Sequence, residues 1–87
     1  YFLFKIGNRM VAIRKLSEIQ PGEKGKIIDI TGERTYVKRL NDMGLLKGTV
    51  VEMVRNAPLG DPMEIIVRDY KLTLRKAEVD GVIIEIE

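Results

Sequence analysis

The stretch RLNDMGLLKG, Arg39–Gly48, changes the periodicity of the chain and decides how the rest of it is read. Upstream of Gly44 the apolar residues Tyr36, Val37, Leu40 and Met43 recur at spacings of three and four, which places them along one stripe of a helix predicted over about residues 32–43. Gly44 ends that helix, because glycine takes the left-handed conformation at a helix C-terminus without steric cost. Leu45 and Leu46 are thereby delivered in a new direction, and after Gly48 the pattern becomes that of a strand. Thr31 is the expected N-cap, with Glu33 in the first turn and Lys38 and Arg39 nearer the C-terminal end.

Working outward, Gly25–Ile30 is a short β-rich run in which strict alternation sets Ile28 and Ile30 on one face and Ile27 on the other. Before it, Leu16–Ile19 reads as a single helical turn, closed by Pro21-Gly22, a type II turn signal. After the helix, Thr49–Asn56 is a strand with Val51 and Met53 on one side and Val50 and Val54 on the other. The loop APLGDP, Ala57–Pro62, follows, its two prolines and Gly60 fixing a rigid turn. Met63, Ile65 and Val67 then alternate with more polar neighbours, and a tight hairpin around Asp69–Lys71 leads to Leu72 and Leu74. Lys76–Asp80 reads as one more turn, and Gly81 releases the chain into a last strand with Val82, Ile84 and Ile86 on one face. At least five short strands and one inserted helix make a mostly β chain. So divided a sheet is expected to close on itself as a small SH3-like barrel. Gly44, Gly48, Gly60 and Pro62 are its structural turn residues.

The 87 residues allow one domain, which buries on the order of 60–65% of its unfolded surface. Its 45% apolar and 32% charged residues are ordinary for a globular chain. The first nine residues, YFLFKIGNR, read as a leader of expression-vector origin ahead of a domain over residues 10–87, with an extra edge strand as the alternative. The apolar run in this leader is too short for a spanning helix, so direct membrane insertion is not expected. Removing its Lys5 and Arg9 brings the 15 basic residues down to 13, level with the 13 acidic ones. A nucleic-acid-binding face concentrates positive charge, whereas here Lys and Arg alternate with Asp and Glu.

Catalytic chemistry is sparse. There is no Cys and no His, so thiol catalysis, a thiolate metal site and the usual imidazole base or ligand are all missing. Ser17 is the lone serine and has no activating partner type in the chain. Lys47-Gly48-Thr49 superficially matches the end of a phosphate-binding loop but lacks the first glycine at the required spacing and leads into a strand. Asp61 with Glu64 is a carboxylate pair suited at most to weak binding of a hard cation. No catalytic, cofactor-binding or metal residue is therefore assigned, and the chain is read as a non-enzyme. What remains is recognition through the surface. Met43, Leu45, Leu46, Pro58, Leu59 and Met63 form the candidate partner-binding set, one of the leucine pair capping the helix while the other joins Leu59 and Met63 in an exposed patch; the alternative is that Leu59 folds back over the mouth of the barrel and serves the fold. Val50, Val54 and Ile83 are left over on outer faces and also suit self-association into a homo-oligomer.

The order LSEIQPGEKGKI, RLNDMGLLKGTVV, APLGDPMEIIV and LTLRKAE, with a final apolar strand, resembles the FeoA family over Val11–Glu87. The positions that carry the resemblance are Arg39-Leu40, Met43-Gly44, Gly48, Ala57-Pro58, Gly60-Asp61-Pro62 and Leu74-Arg75 with Ala77. Members often carry glycine where Asp69 stands. The resemblance implies an SH3-like barrel with an inserted helix and a cytoplasmic accessory role in ferrous iron uptake. It implies contact with the membrane transporter FeoB, at its cytosolic GTPase region. A nucleic-acid-binding SH3-like module and a weak transition-metal-ion binder are the alternative readings; the metal-binding label travels with the family by analogy.

Overall fold

The computed structural model describes residues 2–86. Seven strands form one antiparallel sheet: β1 (Phe2–Ile6), β2 (Arg9–Lys15), β3 (Lys24–Ile30), β4 (Val50–Asn56), β5 (Met63–Val67), β6 (Tyr70–Leu74) and β7 (Val82–Ile86). Their order across the sheet is β1-β2-β7-β3-β4-β5-β6. The helix α1 spans Arg34–Asp42, and 3₁₀ turns occupy Leu16–Glu18 and Lys76–Val79. The leading segment set apart in the sequence is paired with the body: β1 runs antiparallel to β2 from Phe2 opposite Ile13 to Ile6 opposite Arg9. Tyr1 of that leader, and Glu87 at the end of the family resemblance, lie outside the described residues.

The sheet wraps around one core without closing its ladder. Val51 and Met53 of β4, Met63, Ile65 and Val67 of β5, Leu74 of β6 and Val82 and Ile84 of β7 all turn inward, joined by Ile27 of β3. Leu16, Ile19 and Val79 fill the space beneath the 3₁₀ turns, and Leu40 and Leu45 enter from the end of α1. The fold is SH3-like, but β1 and β6 stay at opposite borders, so the edges that closure was expected to remove persist among the described residues.

Two local expectations give way to longer-range contacts. Thr31 does not cap α1; Glu33 is the N-cap residue and makes no side-chain cap bond. The Thr31 hydroxyl instead donates to the Gly81 carbonyl at 3.0 Å, beside the Thr31 amide bond to the same oxygen at 2.8 Å. In β3 a register shift between Ile27 and Asp29 interrupts the alternation. A bulge adds a residue, so Ile27 and Ile30 both pack on the core and Ile28 stays exposed. The Pro21-Gly22 turn forms as read, with Gly22 at φ 91° and the Glu23 amide donating to the Gln20 carbonyl at 3.0 Å.

Candidate functional site

The C-terminal end of α1 is built by a cooperating set of main-chain bonds. The Leu45 amide donates to the Leu40 carbonyl at 2.9 Å and the Gly44 amide to the Asn41 carbonyl at 3.0 Å, with Gly44 at φ 95°. This is a Schellman closure, and its customary hydrophobic contact is supplied by Leu40 and Leu45, both buried. Burying each leucine contributes about 1.5–3 kcal/mol. Leu40 is the one fully buried residue of the helix; Val37 is half-buried, and Tyr36, placed on the apolar stripe by spacing, remains exposed. Tyr70 of β6 locks the end from outside, its hydroxyl donating to the Met43 carbonyl at 2.6 Å.

That closure divides the candidate partner-binding residues. Leu45 and Met63 are fully buried, and Met43 packs partly buried against the core, so these three serve the fold. Leu46 is 43% exposed and Leu59 is 96% exposed, with Pro58 exposed beside it. The register separates the two leucines. The Leu46 amide lies 3.4 Å from the Thr49 hydroxyl, at the start of β4. Leu59 lies beyond Asn56, at the other end of the same strand. Seven strand residues at about 3.3 Å each set the two ends of β4 roughly 20 Å apart, and the two leucines belong to the loops at opposite ends.

The Leu59 end combines an exposed leucine, a braced loop and a cavity. Its loop is braced at three points: the Ala57 amide donates to the Pro62 carbonyl at 2.9 Å, the Gly60 amide to the Ala57 carbonyl at 2.7 Å, and the Lys76 amide to Asp61 Oδ1 at 2.8 Å. Gly60 takes φ 89° there and Gly48 takes φ 90° before β4. Beside the loop a cavity of about 440 Å³ is lined by Arg55, Asn56, Ala57, Pro58, Pro62, Glu64 and Thr73. Sequence reasoning missed Asn56 and Thr73 in this setting, because only the cross-strand register Arg55–Glu64–Thr73 brings β4, β5 and β6 together under the loop.

Asp61 and Glu64, paired in sequence as a weak cation site, are each engaged elsewhere. Asp61 accepts the Lys76 amide. Glu64 Oε2 accepts from Arg55 Nε at 3.0 Å while its Oε1 lies 3.5 Å from Lys71 Nζ. Among the described residues no group of three or more acidic side chains could hold a metal ion. The hydrogen bond from Arg55, helped by the charges of Arg55 and Lys71 and opposed by desolvation, holds the Glu64 carboxyl below its ordinary value of 4.5. A carboxylate with a depressed folded pKa stabilises the fold above its unfolded pKa and loses that contribution as pH falls through the folded one. The melting temperature of Glu64→Gln is therefore expected to lie below that of the wild type at about pH 6, and the gap to narrow as pH falls below 4.5 and through the folded pKa. A gap that stays constant over that range would show that Glu64 acts through packing instead.

No helix among the described residues is long and apolar enough to cross a membrane. The FeoA domain model matches residues 14–86. The chain is 31% identical over 72 residues to the Fe(2+) transport protein A/Fe(2+) transporter FeoB fusion protein of Porphyromonas gingivalis, an alignment covering 83% of this chain and 8% of that one. It thus spans under a tenth of that curated relative. The solution structure of FeoA from Chlorobium tepidum superposes with a TM-score of 0.77 at 36% identity, over 84% of this chain and 70% of that one. The zinc complex of Stenotrophomonas maltophilia FeoA, described as a procaryotic SH3 domain protein, superposes with a TM-score of 0.71 at 25% identity, over 82% and 88% of the two chains. With the family model running from the end of β2 through β7 and the fold shared with solved members, this chain belongs to the FeoA family.

Proposed function

We propose that this chain is a cytoplasmic adaptor of ferrous iron uptake that acts by docking on the cytosolic GTPase region of a FeoB-type transporter, without catalysis or a resident cofactor of its own. Leu59 carries the reading. A leucine exposed over 96% of its surface gains nothing from water, and a loop braced at three points holds it out with little conformational freedom left to lose on docking. The absence of His and Cys favours action by shape over action by metal transfer. The Porphyromonas gingivalis relative joins an A-type and a B-type protein in one polypeptide, an arrangement consistent with association between separate chains.

Leu59→Asp is expected to weaken binding to the cytosolic GTPase region of FeoB about tenfold or more, measured by calorimetric titration, and to leave the melting temperature within a degree or two. An affinity equal to that of the wild type would remove Leu59 from the interface; no measurable binding by the wild type itself would remove the adaptor reading.

A further inference from the structure

The border of the sheet beside the Leu59 loop is unfinished. A two-residue turn, Arg68-Asp69, joins β5 to β6, with Val67 opposite Tyr70. In such a hairpin the flanking pair exchanges both hydrogen bonds and the next pair none, so Tyr70, Leu72 and Leu74 bond to β5 while Lys71 and Thr73 direct their main-chain groups outward. Among the described residues nothing in the fold meets the N–H or C=O of Lys71 or Thr73. The row ends at Arg75 and Lys76, whose amides are taken by Glu78 Oε1 at 3.3 Å and Asp61 Oδ1 at 2.8 Å. Thr73 also lines the cavity of about 440 Å³ under the Leu59 loop, so the open edge and the cavity are continuous.

We propose that the β6 edge is a strand-addition site for an extended, acidic segment of a protein partner, whose alternate side chains point into the cavity between Thr73 and the Pro58–Pro62 loop. The inference rests on the adaptor reading and names the chemistry of what docks. Strand addition uses main-chain bonds for affinity and a side-chain pocket for selectivity, and both stand side by side here. The sign of the partner follows from charge. Residues 68–76 hold four basic residues against the single acid Asp69; Lys71 is matched by Glu64 at 3.5 Å, while Arg68, Arg75 and Lys76 make no ion pair among the described residues. Two copies of this edge would bring two net-positive strands together, which disfavours self-pairing and favours an acidic strand.

Amide exchange on the full 87-residue chain, with and without the recombinant cytosolic GTPase region of a FeoB-type transporter, tests this. Exchange at Lys71 and Thr73 is expected to slow at least about tenfold in the complex, together with the Leu59 loop. Thr73→Pro deletes an N–H that β5 does not use and is expected to weaken binding roughly tenfold. Slowing at the Leu59 loop with Lys71 and Thr73 unchanged overturns strand addition and leaves the adaptor reading intact. No change anywhere overturns both. Protection of the edge that grows with protein concentration in the absence of the GTPase region overturns the acidic-partner assignment in favour of self-pairing. The exchange measurement uses the unmodified chain, so its outcome does not depend on how well Thr73→Pro folds.

Discussion

Gly81→Ala is expected to cost about 3–5 kcal/mol, or a fall of roughly 15–25 °C in melting temperature for a domain of this size. An added Cβ would land on the Thr31 carbonyl oxygen, 2.6 Å from the carbonyl carbon and 3.1 Å from Thr31 Oγ1. The first two obstacles are main chain and cannot rotate away. Relief requires β7 to draw back from the end of β3, and that motion breaks the bonds from Thr31 to the Gly81 carbonyl at 2.8 and 3.0 Å. Because the obstacle is backbone, a second change, Thr31→Ala, should recover little of the loss. Urea denaturation of the three variants reads both points. A single-variant loss under about 1 kcal/mol would mean the two segments stand farther apart than described.

Gly44→Val is the second large effect, expected at about 3 kcal/mol from three additive sources. At φ 95° a side chain is strained, and a β-branched one more so. Its Cβ would come 2.5 Å from Tyr70 Oη. Displacing that hydroxyl forfeits its bond to the Met43 carbonyl, which contributes about 0.5–1.5 kcal/mol. A double-mutant cycle separates the sources: Gly44→Ala should cost less in a Tyr70→Phe background than alone, because the colliding oxygen is gone while the φ penalty remains. Strict additivity would dismiss the tyrosine contact and leave backbone strain as the whole effect.

Local punctuation makes much of this fold legible in the residues alone. RLNDMGLLKG announces the end of α1 because a Schellman closure needs only a glycine and two flanking leucines, all within six residues of one another. The inward alternation of β4 and β5 is visible for the same reason. What escaped depends on distant partners. Thr31 reads as a cap until Gly81, fifty positions away, takes its hydroxyl. The bulge in β3 is a relation between that strand and β7, so the run Ile27-Ile28-Asp29-Ile30 alone cannot reveal it. The left-handed residue of the β5–β6 turn is Arg68, at φ 57°, although the unusual Asp69 draws attention in sequence.

The candidate site divides along the same line. The rigid loop around Leu59 is legible from Pro58 and Gly60, but whether the leucine folds back or stands out is decided by its 96% exposure. Leu46 reads as its companion only while the length of β4 is ignored. Leu45 and Met63 have the composition of a docking surface and the position of a core, a distinction that burial decides and hydropathy does not. The open β6 edge has no sequence signature, since Lys71 and Thr73 resemble any solvated strand residues until the ladder is seen to stop there.

The clasp between Tyr70 and Met43 also gives the domain a built-in optical gauge. The chain holds no tryptophan and three tyrosines, so ultraviolet absorption and emission near the tyrosine band are not masked. A phenol donating to a carbonyl absorbs differently from one donating to water, and only Tyr70 among the described residues makes such a bond. Stopped-flow difference spectra against Tyr70→Phe would therefore time the seating of the helix end during refolding with no dye attached.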